Sequence, residues 1–285
     1  MKMKGYNIPG YFIGDQKKHP PAYIFPYEAD KTTIKNRVVL TTHLFSFVRE
    51  GSKEIVMGDA TIKLNNKEFV LITAGKCFMS EKISDQGNYS TTLFFFGNDL
   101  LQSFFEIHKG PILHALGRNK LVKKEVLVFK YDEFTRSYVK SLNYITNRSE
   151  ELIKLKLHEI MLYLMETDPL ELCCLFAKHP ETSDEIKFKN IIASHIDSNL
   201  SINELAYLCN VSLSTFKRKF AAIFNESPTN WIRQKRMEHA AFLLKYNKER
   251  VSDIYLRLGY ENHSSFSQSF KSVFGVSPKE YQLQD

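Results

Sequence analysis

The phrase FKRKFAAIFNESP, Phe216 to Pro228, returns fifty residues later as FSQSFKSVFGVSP, Phe266 to Pro278. Three Phe positions and the closing Ser-Pro coincide, whereas Lys217-Arg218 has become Ser267-Gln268. A chain that keeps the apolar letters and rewrites the polar ones is building one supersecondary unit twice, with a different outer face on each copy.

Each copy reads as a helical hairpin. In SINELAYLCNVSLSTFKRKF, Ser201 is placed to cap a short helix carrying Ile202, Leu205, Ala206 and Leu208. Cys209-Asn210-Val211 makes the turn, and Ser212 caps a second helix whose inward residues are Leu213, Phe216 and Phe220. Its outward face keeps Ser214, Thr215, Lys217 and Arg218, the donor-rich surface that a major-groove recognition helix requires. RVSDIYLRLGYENHSSFSQSF repeats the plan: Val251, Ile254 and Leu258 in a first helix, Gly259 at the turn, Asn262 as cap, Phe266 and Phe270 inward. Between the copies, Ser227 and Pro228 open a helix running through Trp231, Met237, Ala240, Ala241 and Leu244. About 18 residues at 1.5 Å of rise make it roughly 27 Å long. Such a rod sets two hairpins about one DNA turn (~34 Å) apart on one face of a duplex.

The texture upstream is different. From Ile34 to Phe96 the chain is rich in Val, Ile, Thr and Phe and is broken at Gly51, Gly58, Asn65-Asn66 and Gly75, which predicts short strands in a small barrel or sandwich. Asn65-Asn66 reads as a hairpin turn, and TTLFFF, Thr91 to Phe96, as a strand covered on both faces. After Asp132 the spacing turns helical. Ser149 with Glu150 and Glu151 starts a helix in which Ile153, Leu157, Ile160, Met161 and Leu164 share a face that Leu152, Leu155 and Leu162 widen. Core packing alone and a partly dimeric face both account for so broad a stripe. KHPETSDE, Lys178 to Glu185, is polar, contains Pro180 and reads as a linker.

The 285 residues leave room for about two domains. The division expected is a regulatory or dimerisation domain at 1–177, a linker at 178–186 and a helical domain at 187–285, with hairpins at about 201–220 and 251–270. From Lys187 onward there are 14 Lys/Arg against 9 Asp/Glu, so the C-terminal third carries +5 of the chain's net +7. That balance suits a polyanionic partner. No apolar run reaches 18 residues and no continuous apolar segment follows the basic start MKMKGYNIPGYFIGDQ, so neither a membrane span nor a secretory signal is read. The four cysteines, Cys77, Cys173, Cys174 and Cys209, form no C-x-x-C pair and read as reduced, buried thiols of a cytoplasmic protein.

Leu205 to Phe220 follows the pattern L-A-x-x-x-x-x-S-x-x-x-F-x-R-x-F. S-P-x-x-W, a long helix and GYENHSSFSQSFKSVFGVSPKEY, Gly259 to Tyr281, come after it. Over about Phe188 to Gln282 the chain therefore resembles the AraC/XylS transcriptional regulators. The resemblance implies an α+β protein: an N-terminal cupin-like β-barrel with dimerisation-type helices, then an all-α domain with two helix-turn-helix motifs. It implies double-stranded DNA and RNA polymerase as partners and activation of transcription; no cofactor is expected, and the lone His43 speaks against catalysis. By position, Ser214, Lys217 and Arg218 would read bases in the first motif, and His263, Ser264, Ser267 and Gln268 in the second. Lys219, Arg233, Lys235, Arg236 and Lys271 would lie nearer the phosphates. Arg236 is equally suited to bracing the helix packing. Gln268 stands where the family often has Arg, and Tyr255 where it often has Ala, so the second motif is expected to bind more weakly and its packing at Tyr255 is open to question.

In many members the N-terminal barrel takes a small effector, others answer to a partner protein, and helices after the barrel pair two copies, here within 133–166. A pocket lined by Phe45, Phe47, Ile55, Met57, Leu71 and Phe78 is one expectation, and a filled core of the same residues is the other. His43 has no second His nearby to make a metal-binding H-x-H pair, so no metal is expected and His43 reads as structural.

Overall fold

The computed structural model describes residues 5–13, 20–145, 149–177, 184–196, 198, 200–247 and 249–283. The chain divides into two compact units, 1–181 and 182–285. Of the expected linker 178–186, residues 178–183 lie outside the described set, while 184–186 are helical and open the second unit.

The first unit begins with β1 (Gly5–Ile8), the single turn α1 (Gly10–Ile13), β2 (Ala22–Ala29), β3 (Thr33–Leu40) and β4 (His43–Glu50). It continues through β5 (Ser52–Met57), β6 (Ala60–Asn65), β7 (Glu68–Ile72), β8 (Gly75–Lys82) and β9 (Tyr89–Phe96). Helices α2 (Asn98–Ile107) and α3 (Lys109–Arg118) follow, then β10 (Val126–Lys130), α4 (Glu133–Leu142), α5 (Glu150–Thr167) and α6 (Pro169–Cys173). The strands make two five-stranded sheets, one in the order β1-β3-β8-β5-β6 and the other β10-β7-β4-β9-β2. All pairings are antiparallel except β1 with β3. Of the small barrel or sandwich expected, the strands take the two-sheet form, without closing into one barrel.

The corners explain how the chain changes sheets. Gly51, between β4 and β5, has φ +79°, and a Cβ there would sit 2.4 Å from the Lys82 carbonyl oxygen. Only glycine meets both conditions without strain. The Asn65-Asn66 turn does not close a hairpin as expected, because β6 and β7 lie in different sheets. Asn65 Oδ1 accepts from Lys67 N–H at 2.9 Å and carries the chain across.

Strand period two sorts the side chains of the second sheet into two cores. Phe45, Phe47, Phe69, Leu71, Phe94 and Phe96 face one way and pack under the helices. Leu44, Val48, Val70, Ile72, Leu93 and Phe95 face the other way, into the space between the sheets. β9 has six consecutive buried residues, as TTLFFF predicts. From α5, Ile153, Leu157, Ile160, Met161 and Leu164 enter the helix-side core, Leu152 and Leu162 lie partly buried against it, and Leu155 remains 66% exposed. Cys77, Cys173 and Cys174 are buried and all four cysteines are free. Burial pushes the Cys77 thiol up to about 12.

The second unit holds α7 (Asp184–Ser194), α8 (Ile202–Leu208), α9 (Leu213–Phe224), α10 (Pro228–Lys245), α11 (Val251–Arg257), α12 (His263–Phe274) and α13 (Pro278–Leu283). Among the described residues no helix is long and apolar enough to cross a membrane.

Phe69 tests the aromatic layer of the first unit: its ring lies 5.1 Å from Phe47 and 5.4 Å from Phe129. Phe69→Ala should lower the unfolding free energy of this unit by roughly 3–5 kcal/mol in denaturant titrations. A loss under about 1 kcal/mol would show that the layer closes around the gap.

Candidate nucleic-acid interface

The repeated phrase produces the same aromatic frame twice. Phe216, Phe220, Phe224 and Trp231 in one half match Phe266, Phe270, Phe274 and Tyr281 in the other. The first pair of each set is separated by 5.7 and 6.0 Å between ring centres, and the second by 4.4 and 4.7 Å. Trp231 stands 5.5 Å from Phe220, and Tyr281 stands 5.4 Å from Phe270. Backbone details repeat as well. Val211 N–H donates to the Ala206 carbonyl at 3.1 Å, and Tyr260 N–H to the Tyr255 carbonyl at 3.0 Å, each closing the turn of its hairpin. Asn210 (φ 56°) and Gly259 (φ 87°) supply the left-handed residue that this closure needs. Asn225 and Gly275 end α9 and α12 in the same conformation.

Capping sets where each recognition-type helix begins. Ser212 accepts from Thr215 N–H and Asn262 from Ser265 N–H, at 3.2 and 2.8 Å. The first helices of the two hairpins differ. Ser201 and Glu204 form a reciprocal capping box on α8, whereas Arg250 leads into α11 with no side-chain cap. α8 and α11 turn Leu205, Leu208, Ile254 and Leu258 inward. Tyr255 is half-buried, and its ring meets His263 edge-on with centres 6.0 Å apart, so the bulky residue is accommodated at the mouth of the hairpin.

What remains outside is unequal. On α9, Ser214, Lys217 and Arg218 are exposed. Ser214 is within 3.0 Å of the capping Ser212 hydroxyl, leaving Lys217 and Arg218 as the projecting cations. On α12, His263, Ser264 and Gln268 are exposed, and Ser267, half-buried, pairs with His263 Nδ1 at 3.3 Å. This face has no cation until Lys271, which is exposed.

The residues expected near phosphates separate by environment. Arg233 is exposed and touches Asn230 at 3.5 Å. Lys235 pairs with Glu238 at 2.6 Å. Lys219 folds back, donating to the Asp184 carbonyl at 3.2 Å with its ammonium 5.1 Å above the Phe188 ring. Arg236 is a brace: Nε donates to the Ile196 carbonyl at 3.0 Å and Nη2 to Ser198 and Leu200 carbonyls at 2.6 and 3.1 Å. The guanidinium thereby gathers the carbonyls that follow α7. Bracing was one of the two roles read for Arg236, but its acceptors, 36 to 40 positions away, were not legible.

In the first unit the six expected pocket residues do not share a space. Phe45, Phe47 and Leu71 belong to the helix-side core, and Ile55 and Met57 to the inter-sheet core. Phe78, buried, alternates on β8 with the inward Cys77 and Met79. A cavity of about 80 Å³ does lie between the sheets, with Val38, Leu44 and Leu93 as apolar wall and Tyr6, Tyr11 and Phe12 at one side. It is also lined by Lys53 and Glu81, whose Nζ and Oε1 are 3.0 Å apart with side chains 2% and 12% exposed. Burial opposes the charge on Lys53, but Tyr89 and Glu81 beside it outweigh burial and raise its pKa above the usual lysine range. Sequence reasoning missed this pair, which β5 and β8 bring together by register. His43 Nδ1 accepts from Ala74 N–H at 3.3 Å, and burial holds its pKa below the usual histidine range. Its position is structural.

Two family models match separate stretches of the chain. Residues 43–174 match the family described as the ExsA N-terminal regulatory domain, and residues 197–284 match a helix-turn-helix domain. The thermoregulatory protein LcrF of Yersinia pestis is 25% identical over 177 residues, 61% of this chain and 65% of LcrF. The virulence regulon transcriptional activator VirF of Yersinia enterocolitica matches to the same extent. The match thus spans about 65% of the length of these relatives. A structure of fatty-acid-bound ToxT from Vibrio cholerae is 16% identical with a TM-score of 0.40, covering 92% of this chain and 94% of that one. With an ExsA-type regulatory domain in its first unit and the twice-built hairpin in its second, the chain belongs to the AraC/XylS family of transcriptional regulators.

Proposed function

We propose that this protein is a cytoplasmic, sequence-specific DNA-binding regulator, an activator that reads two successive major-groove segments and is controlled through its N-terminal unit. The observation that carries the reading is the duplicated aromatic frame, which holds α9 and α12 in equivalent settings while leaving each a different polar outer face. α10 spans 18 residues, a rise of about 27 Å, close to one turn of DNA. The first motif, with Lys217 and Arg218, grips phosphates and reads guanine. The second, with His263, Ser264, Ser267 and Gln268, contributes selectivity with less charge. Arg233 and Lys271 are the exposed phosphate anchors. Lys235 and Lys219 hold intramolecular partners, so contact with DNA costs them those bonds.

Activation implies a contact with RNA polymerase. Control implies a small effector or a regulatory protein at the N-terminal unit. A homodimer through 133–166 would use the outward side of α5 that carries Leu155, because its inner stripe is occupied by the unit's own core. The residues of the site bind and position, and no catalytic step is assigned to them.

Selection of bound fragments from random duplexes, followed by gel shifts across a salt series, tests the reading. The expected result is a two-part site bound at least a thousandfold more tightly than random DNA, with affinity falling steeply as salt rises. Equal affinity for selected and random duplexes would leave only a non-specific polyanion binder.

Arg218→Ala should cost about 1–3 kcal/mol and relax base preference in one half of the site alone. Lys271→Ala should weaken every sequence alike and reduce the salt slope by about one. Arg236→Ala, in contrast, should lower the unfolding free energy of the second unit by roughly 2–3 kcal/mol, because it removes charge-assisted bonds. An Arg236→Ala protein with unchanged melting temperature but reduced DNA affinity would return Arg236 to the phosphate contacts.

A further inference from the structure

In the helical layer of the first unit, two histidines meet. His108, at the junction of α2 and α3, and His158, near the middle of α5, bring their Nε2 atoms to 3.5 Å. Both are half-buried, and the Phe104 ring packs on the pair with centres 4.5 Å from His108 and 5.4 Å from His158. The two imidazole centres are 5.2 Å apart and the planes inclined by 44°. Centres that close, at that nitrogen separation, mean that the two nitrogens are not aimed straight at one another. A tetrahedral ion bound at about 2.0–2.1 Å holds two imidazole nitrogens about 3.3–3.4 Å apart, close to the spacing found.

We propose that His108 and His158 form a two-histidine site for a borderline divalent transition ion of the Zn²⁺ class. Each ring coordinates through Nε2 and keeps its proton on Nδ1. Among the described residues no group of three or more His, Cys, Asp or Glu side chains is placed to hold a metal, so water completes the sphere. The site is accordingly weaker than a four-ligand structural zinc centre and open to exchange. Its effect is mechanical: the ion ties the α2–α3 junction to α5 across the layer that covers the second sheet. The sequence reading expected no metal because His43 has no H-x-H partner; His108 and His158, 50 positions apart, form no motif that it could have weighed. The inference is independent of the DNA-binding reading.

The test uses the full chain stripped with a chelator, titrated with ZnCl₂ by calorimetry and followed by thermal unfolding, with MgCl₂ as the hard-cation control. Expected are one saturable Zn²⁺ per chain, a melting temperature raised by zinc and not by magnesium, and a tetrahedral visible spectrum with Co²⁺. His158→Gln, which retains a hydrogen-bonding side chain, and His108→Ala should each weaken zinc binding at least tenfold. His114→Ala, exposed on α3, should leave it unchanged. Zinc binding that survives both substitutions, or that falls equally with His114→Ala, would overturn the site. So would a wild-type chain that zinc does not stabilise, which would reduce the pair to an ordinary hydrogen bond between imidazoles.

Discussion

The aromatic frame around α10 is the interaction on which the helical second unit of this protein depends. Each recognition-type helix contributes three Phe rings one turn apart, and the helix that follows it contributes a fourth ring that closes the cluster. Phe216, Phe220, Phe266 and Phe270 have no exposed surface, so they have no freedom to rotate their helices. Dispersion and burial fix the azimuth of α9 and α12, and that azimuth decides which polar residues point away from the core. Polar letters are then free to change without cost to the fold. This is why Lys217-Arg218 and Ser267-Gln268 can occupy equivalent positions.

The same physics orders the first unit at a larger scale. Its second sheet is buried on both faces, so its strands read as nearly continuous apolar runs and take up much of the chain's 22 Phe. Against so apolar a background the Lys53–Glu81 pair stands out. Removing two charges from water is costly, and neither partner would be retained alone without a larger penalty. Placed with Thr33 and Asn36 at the wall of a cavity, the pair gives the inter-sheet space a charged end.

The two hairpins of the second unit are matched in frame and unmatched in support. α8 starts with a capping box and Arg236 gathers the carbonyls after α7, whereas α11 starts without a side-chain cap. The better-braced hairpin is also the more cationic one. The proposed grip and the stronger local structure therefore reside in the same motif, while the second hairpin presents His263 against Tyr255 on a face with little charge.

The repeat, its caps and its inward Phe positions were legible in the sequence, because helical period and capping chemistry are local rules acting over a few residues. β9 was legible for the same reason: a strand buried on both faces has no polar alternation to obscure it. Which sheet each strand joins was not legible. Asn65-Asn66 has the composition of a hairpin turn, yet its strands part company: β6 stays with its neighbour β5, while β7 pairs with β4 and β10 in the other sheet. The six residues expected to line one pocket alternate between faces and fall into separate layers. The sequence left Arg236 between phosphate contact and brace, and the three carbonyls that its guanidinium meets after α7 are visible only in the folded chain. His108 with His158, and Lys53 with Glu81, exist as pairs only once helices pack and registers are set. Sequence determined by itself what repeats over short spans; tertiary structure decided what meets across long ones, because contact between distant residues is a property of packing and not of spacing.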